Sequence, residues 1–190
     1  MNCFYVVFWW CLQYYLFIND FLLEDIIGKL TLIMRRIRLI WIGKTRSCFA
    51  QEGIDIYLKK LSNYTKVEIE EVRPSKYISG KVDKWRQNET EKILEYLNPS
   101  ELNIFLDEKG KRRTSTHLAG WFEKQMHFGW SRVNFIIGGA YGFEKSLIPP
   151  NANYLSLSDM TFSHQMVRLF LLEQLYRVFT IIRREPYHHF

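Results

Sequence analysis

The chain has 190 residues and a mass of 22.9 kDa, the size of one domain with at most a short appendage. Hydrophobic residues make up 47% and charged residues 24%, which excludes wholesale disorder and a collagen-like fibre. The net charge of +6 favours a polyanionic partner without identifying one. Three cysteines, Cys3, Cys11 and Cys48, are too few for a disulfide scaffold or a zinc knuckle, so we expect a reduced, cytoplasmic chain.

Residues 1–33 differ in composition from the rest of the chain. They contain nine aromatic residues and carry no charge before Asp20, and their net charge of −2 leaves +8 on residues 34–190. The uncharged stretch is shorter than the roughly 20 residues of a bilayer span, and it lacks the flanks of a signal peptide. We expect an extension outside a single functional domain at 34–190. An early start codon, a surface anchor and an extra packing helix all stay open as its origin.

From residue 37 onward, the apolar pattern predicts strands that alternate with helices. Short apolar runs predict strands at 37–42, 67–72, 102–106, 133–137 and 154–157. Helical spacing predicts helices at 47–61, 82–97, 115–128 and 165–182, with a short one before Pro149-Pro150. This order is typical of a mostly parallel sheet covered on both faces, in which ligands bind beyond the carboxyl ends of the strands.

The last predicted helix carries more apolar surface than one face needs. Glu173, Gln174 and Arg177 form one narrow polar strip, and apolar residues occupy most of the remaining circumference. Such a helix buries two faces, either as a central core helix or between the core and a second copy of the chain. We favour the second copy because open α/β sheets place helices at their periphery. Arg168, on the apolar side, is expected to need an anion or a route to water.

Two segments contain residues suited to ligand binding. The glycines of Gly138-Gly139-x-x-Gly142 let the backbone turn sharply and approach a ligand, although an ordinary strand-to-helix turn uses glycines equally. Residues 155–164, LSLSDMTFSH, form a polar loop whose small side chains leave backbone groups accessible. Ser163 or Thr161 of this loop also suits a helix cap.

The C-terminal PYHHF places aromatic and imidazole groups beside two arginines, which suits stacking on bases and pairing with phosphates. A basic tail that is merely solvated has the same composition. His117 and His127 lie on a helical pattern without a second set of ligands, so we predict no metal site.

Taken in order, IIGGAYG, LSLSDMTFSHQMVRLFLLEQLYRVFTII and PYHHF resemble the SPOUT-class methyltransferases that modify N3 of a pseudouridine in bacterial 23S ribosomal RNA, the large-subunit rRNA methyltransferase H family. The resemblance covers residues 34–190 and is most specific from residue 135. It implies an α/β/α sandwich around a parallel sheet with a C-terminal trefoil knot, S-adenosylmethionine held by the knot loops, and a homodimer. Chain-topology rules treat knots as essentially absent, so only the resemblance predicts this one.

The resemblance also carries residue roles. It implies cofactor contacts at Leu106, Gly138, Leu157, Ser158, Asp159, Met160, Thr161 and Phe162. It implies catalytic positions near the nucleotide at Arg177, Tyr187 and His188. We hypothesise that Arg177 stabilises negative charge on the base and that neutral His188 accepts the N3 proton or positions the base. The chain departs from the usual family pattern within the glycine turn and at its last two residues.

The expected activity is therefore S-adenosylmethionine-dependent methylation of 23S rRNA within the assembled ribosome, by a cytoplasmic homodimer without metal or membrane attachment. Three alternatives stay open: a ribosome-associated RNA-binding protein without catalysis, a SPOUT enzyme that methylates a ribose 2′-hydroxyl, and a protein tethered to a membrane by residues 1–33. Cofactor binding, the position of the methyl group and membrane extraction separate them.

Overall fold

The computed structural model describes residues 36–76, 81–130 and 132–188. In these ranges the predicted alternation of strands and helices is confirmed. The strands are β1 (Arg36–Ile42), β2 (Lys66–Val72), β3 (Leu102–Arg112), β4 (Arg132–Ile137) and β5 (Asn153–Ser156). The helices are α1 (Cys48–Leu61), α2 (Val82–Leu94), α3 (Ser115–His127) and α4 (His164–Ile182), with a 3-10 turn at Lys145–Leu147. The predicted extension at 1–33 lies outside the described residues.

The described strands form one parallel sheet in the order β2-β1-β4-β3-β5. Its central strand β4 is buried along its length, from Val133 to Ile137. Because all strands run in one direction, their carboxyl ends share one edge of the sheet. Neighbouring positions in the sheet bring the segments after β4, β3 and β5 together at that edge.

Helices cover both faces of this sheet, which confirms the predicted α/β/α layers. On one face, Ile40 and Ile136 pack with Ile93 of α2 in a hydrophobic cluster. On the other face, α4 packs against α1 and α3. There the centre of the Phe122 ring lies 6.2 Å from the centre of the Phe135 ring and 5.8 Å from that of the Phe179 ring. None of the helices among the described residues is long and apolar enough to cross a membrane. The trefoil knot stays a prediction.

The predicted end of the third strand is wrong. Instead of stopping at Leu106, β3 continues to Arg112, because Lys111 and Arg112 pair with β5 after a register shift that loops out residues 107–110. Gly110 permits this close crossing, since a Cβ atom there would lie 2.6 Å from the carbonyl carbon of Leu155. Pairing between distant segments is invisible in the local apolar pattern, which ends at Leu106.

The predicted end of the second helix is also wrong. Helix α2 ends at Leu94, and the N–H groups of Tyr96 and Leu97 donate to carbonyl oxygens three residues back, at 3.0 and 3.1 Å. The last turn is therefore of the tighter 3-10 type, which helical spacing in the sequence does not distinguish from a further α-helical turn.

Arg168 is 1% exposed. Two oxygen atoms of the protein accept hydrogen bonds from its guanidinium, instead of the expected anion or water. Its guanidinium donates to the carbonyl oxygen of Ile42 at 2.7 Å and to the hydroxyl of Thr45 at 2.8 Å, and lies 4.9 Å from the centre of the Trp41 ring. Burial lowers the pKa of Arg168 to about 10, so the group stays charged at neutral pH. These contacts fasten the first turns of α4 to the end of β1.

Candidate active site

A cavity of about 900 Å³ lies at the carboxyl edge of β3, β4 and β5. Its size is within the range of small-molecule sites. Seven of the eight predicted cofactor contacts line it, namely Leu106, Gly138, Leu157, Ser158, Met160, Thr161 and Phe162. The eighth, Asp159, does not line it and instead pairs with Arg112 at 2.5 Å. The structure thus brings together segments that lie 50 residues apart in the chain.

The glycine turn folds back tightly on the end of β4. The N–H of Gly142 donates to the carbonyl oxygen of Gly139 at 3.1 Å, and Gly142 has a φ of 70°, a conformation that favours glycine. A Cβ atom on Gly138 would lie 3.2 Å from the carbonyl carbon of Gly142 and 3.2 Å from the Phe143 ring. The turn therefore presents backbone to the cavity.

Helix α2 contacts this turn and the residues that follow it. The hydroxyl of Thr90 accepts the N–H of Glu144 at 2.9 Å, and Arg86 donates twice to the Glu144 carboxylate, at 2.8 and 3.2 Å. The Trp85 ring meets the Tyr141 ring edge-on at 5.2 Å. The turn is thereby fixed at its far end by an ion pair, a hydrogen bond and an aromatic contact.

The loop after β5 uses its hydroxyl groups on itself. Ser156 donates to the carbonyl oxygen of Ser158 at 2.9 Å, and the hydroxyl of Ser158 accepts the N–H of Met160 at 2.9 Å. Ser163 caps α4 by accepting the N–H of Met166, so of the two capping candidates it is Ser163 that serves. These bonds stabilise the shape of the loop and engage the hydroxyl groups of Ser156, Ser158 and Ser163 within it.

The three predicted catalytic residues cluster at the other end of α4. Arg177 donates to Glu173 Oε1 at 2.7 and 3.0 Å and to Nδ1 of His188 at 3.2 Å. Tyr187 donates to the same Glu173 oxygen at 3.4 Å, and its ring lies 5.0 Å from the Arg177 guanidinium. Because arginine only donates, Nδ1 of His188 accepts, and the neutral ring then carries its proton on Nε2.

The cluster and the cavity are far apart within one chain. His164 and Val167 line the cavity at the start of α4, and none of Arg177, Tyr187 and His188 does. Arg177 follows Val167 by ten residues, which is about 15 Å along a helix axis. A single protomer therefore keeps the two groups of predicted site residues separate.

A family model described as "Predicted SPOUT methyltransferase" matches residues 35–188. The chain belongs to the SPOUT methyltransferase family. It is 42% identical over 154 residues to a protein of Geotalea daltonii, 44% over 154 to one of Flavobacterium psychrophilum and 41% over 155 to one of Parabacteroides distasonis. These matches cover 80 to 81% of this chain and 98 to 99% of each relative. Each relative is named ribosomal RNA large subunit methyltransferase H.

The family confirms the predicted SPOUT fold and the enzyme class, and as a methyltransferase family it implies a methyl donor. Three cationic and three acidic side chains line the SPOUT methyltransferase cavity, and two ion pairs join four of them. Lys145 lies 3.1 Å from Asp107, and Arg86 lies 2.8 Å from Glu144. Balanced charge suits a ligand that itself carries both signs.

Among the titratable residues that sequence reasoning did not single out, one lines this cavity and another is buried beneath its glycine turn. His164 lines the cavity, and burial together with the charge of Arg168 lowers its pKa, so the ring is neutral at neutral pH. Its position directly after Ser163, a predicted helix cap in the loop, was the signal in the sequence that could have identified His164. Glu89 of α2 is 3% exposed beneath the turn, where its carboxylate would collide with a side chain at position 139. Only tertiary packing reveals it.

Gly138→Ala is expected to weaken binding of S-adenosylmethionine, measured by calorimetry, by about tenfold, because the added Cβ must displace the Gly142 backbone or the Phe143 ring. Gly120→Ala in α3 is the control, since a Cβ there meets nothing within 4 Å. The control is expected to keep wild-type binding and to gain roughly 0.5–1 kcal/mol of stability. Equal affinities of the two variants would contradict this account of the turn.

Burial of Glu89, opposed by hydrogen bonds from Ser75 and Trp85, raises its pKa above the ordinary 4.5. The folded state therefore holds this proton more tightly than the unfolded state, and wild-type stability falls as the pH rises through the raised pKa. Glu89→Gln has no such proton. The free energy of unfolding of the variant, relative to wild type, is expected to increase from about pH 4 to about pH 8 in urea titrations. A difference independent of pH would refute this.

Proposed function

We propose that this enzyme methylates N3 of a pseudouridine in 23S rRNA, in the cytoplasm, with S-adenosylmethionine as the donor and the assembled large ribosomal subunit as substrate. Its relatives are named ribosomal RNA large subunit methyltransferase H. The observation that carries the proposal is the cavity onto which Leu106, the glycine turn, residues 157–158 and residues 160–162 converge.

The residues of the cavity fit the proposed donor. The backbone of residues 157–162 and the glycine turn at Gly138 would hold its polar ends, and Leu106 and Ile137 offer apolar surface. The tight approach at Gly138 leaves backbone rather than side chain against the ligand. When bound, this donor supplies a methyl group that is already activated on a sulfonium sulfur.

The task left to the chain is alignment and charge control at the base. The acceptor nitrogen must lie in line with the methyl–sulfur bond, and its N–H proton must leave before or during transfer. The Arg177 guanidinium and the Nε2–H of His188 are donors suited to the carbonyl oxygens of the base. Hydrogen bonds there favour the anionic imide, whose proton passes to water.

Tyr187 has a different part in this scheme. Burial and the neighbouring Tyr57 hydroxyl raise the pKa of Tyr187 well above its usual value, so the phenol stays protonated. Its hydroxyl contacts Glu173 and its ring contacts Arg177. Tyr187 therefore positions Arg177 and does not accept the proton. Of the two roles hypothesised for His188, positioning of the base agrees better with an Nδ1 atom already occupied by Arg177.

A homodimer completes the proposed site. Donor cavity and catalytic cluster lie about 15 Å apart along α4, so one chain does not bring both to the same base. Phe49 and Ile56 of α1, seven residues apart on one side of the helix, are 67% and 49% exposed. Helix α1 packs on α4, so this apolar surface is suited to a second copy that supplies its cluster to the cavity of the first.

The activity is tested by primer extension on 23S rRNA from large subunits treated with enzyme and S-adenosylmethionine. N3-methylation blocks the pairing edge, so one new stop is expected, weaker or absent when protein-free RNA is the substrate. His188→Ala is expected to lower the rate roughly a hundredfold without changing donor affinity, because His188 contacts the base in this scheme and not the donor. Methyl groups found on ribose in digested nucleosides, or no methylation of subunits, would refute the proposal.

Mixing two inactive variants tests the homodimer. Gly138→Trp obstructs the cavity of one chain, and His188→Ala removes the cluster residue of the other. If the site is shared between protomers, re-mixed dimers are expected to recover about a quarter of wild-type activity, since half the dimers are mixed and each holds one intact site. Each variant is first checked for dimer mass by light scattering. No recovery from confirmed mixed dimers would place the whole site in one chain.

A further inference from the structure

A second cavity of about 350 Å³ lies beside the donor cavity and shares Lys109, Lys145 and Leu155 with it. We call it the cation pocket. Its lining contains four cationic residues and no acidic one. The cationic residues are Lys109, Lys111, Arg113 and Lys145, of which Lys145 also pairs with Asp107 of the neighbouring cavity at 3.1 Å. Such a concentration of one charge beside an active site indicates an anionic ligand.

The extension of β3 builds this pocket. Lys109, Lys111 and Arg113 follow one another at intervals of two residues through the bulge and the second pairing with β5, and all three line the pocket. Gly110 lies against Leu155 of β5 so closely that any side chain there would collide with the backbone. Strand pairing holds Lys111, while Lys109 lies on the bulge before it and Arg113 directly follows the last residue of β3.

Arg113 has no acidic partner among the described residues. Seven arginines in the described ranges are buried or half-buried, and five of them lie within 4.0 Å of a carboxylate oxygen. Arg168 instead donates to a carbonyl and a hydroxyl oxygen. Arg113 has only the Trp121 ring, 4.8 Å from its guanidinium. Burial lowers the pKa of Arg113, and an anion in the pocket would offset that penalty.

Aromatic rings line the pocket as well. The guanidinium of Arg113 is stacked against Trp121, and Lys145 lies 5.4 Å from the centre of the Tyr154 ring. Arginine planes and aromatic rings are the surfaces on which unpaired RNA bases stack. A pocket that offers both cations and such surfaces suits a nucleotide within a strand better than it suits an acidic peptide.

We propose that the cation pocket binds a phosphate and the adjoining base of the rRNA strand, next to the nucleotide that is methylated. This inference rests on the proposed function, because it deepens the identity of the substrate. Lys109, Lys111 and Arg113 bind the phosphate. The wall shared with the donor cavity sets the distance between the held nucleotide and the reacting one.

The test removes two of these charges with Lys111→Ala/Arg113→Ala and compares the variant with Lys66→Ala/Lys84→Ala. The control loses equal charge from exposed positions, at the amino end of β2 and on α2. The readouts are S-adenosylmethionine affinity by calorimetry, KM and kcat with large ribosomal subunits, and co-sedimentation with those subunits over a range of salt concentrations. Co-sedimentation requires no turnover, so it measures subunit binding through the pocket independently of methyl transfer.

For the pocket variant we expect a KM at least about tenfold higher, with kcat and donor affinity within about twofold of wild type. The salt dependence of subunit binding, as the slope of log K against log salt, is expected to fall by about 0.7, for the one phosphate contact that is lost. The control is expected to match wild type. Lys111→Arg, which keeps the cation, is expected to retain the wild-type KM.

Equal KM values and equal salt slopes for the pocket variant and the control would overturn the proposal. So would a rise in KM for Lys111→Arg as large as for Lys111→Ala, because a phosphate site requires only the charge. Micromolar binding of free uridine monophosphate, lost in the pocket variant, would assign the pocket to a free nucleotide instead. If wild type binds subunits through the pocket but transfers no methyl group, the proposed function fails while the pocket assignment stands.

Discussion

The parallel arrangement of β4, β3 and β5 is the constraint on which the site depends. Strands that run in one direction end at one edge, and their adjacency in the sheet places three otherwise unrelated segments around one cavity. The crossing of Gly110 over Leu155 extends this constraint, because it lets β3 pair with β5 a second time beyond the bulge. Leu155 and Ser156, the β5 residues of that second pairing, line this cavity, and Lys111 lines the neighbouring pocket.

Helix α4 links this edge to the rest of the enzyme. At its start, the Gln165 side chain accepts the N–H groups of Arg46 and Ser47, and the buried Arg168 holds the end of β1. At its other end, Glu173 and Arg177 organise the C-terminal residues. A rigid helix between the two sites fixes their separation, and this separation is the reason for expecting the reaction to need two chains.

The glycine turn is stabilised by packing from a neighbouring helix. Gly142 adopts a left-handed conformation that favours glycine, and a Cβ atom on Gly138 would lie only 3.2 Å from the Gly142 backbone. Helix α2 supplies that packing, with Arg86 and Thr90 bound to Glu144. Glu89 of the same helix is buried next to Gly139, and burial raises the pKa of its carboxyl group.

The sequence by itself determined the alternation of strands and helices, the parallel sheet and the segments that line the cavity. Apolar periodicity and the positions of glycine and proline are properties of the local sequence, and the elements that they predict are present in the folded structure. The family resemblance added the predicted donor contacts, seven of which line one cavity. The register shift in β3, the buried Arg168 and Glu89, and the cation pocket were decided only by the tertiary structure. Each depends on which distant segment lies opposite a residue, and local pattern carries no information about that pairing.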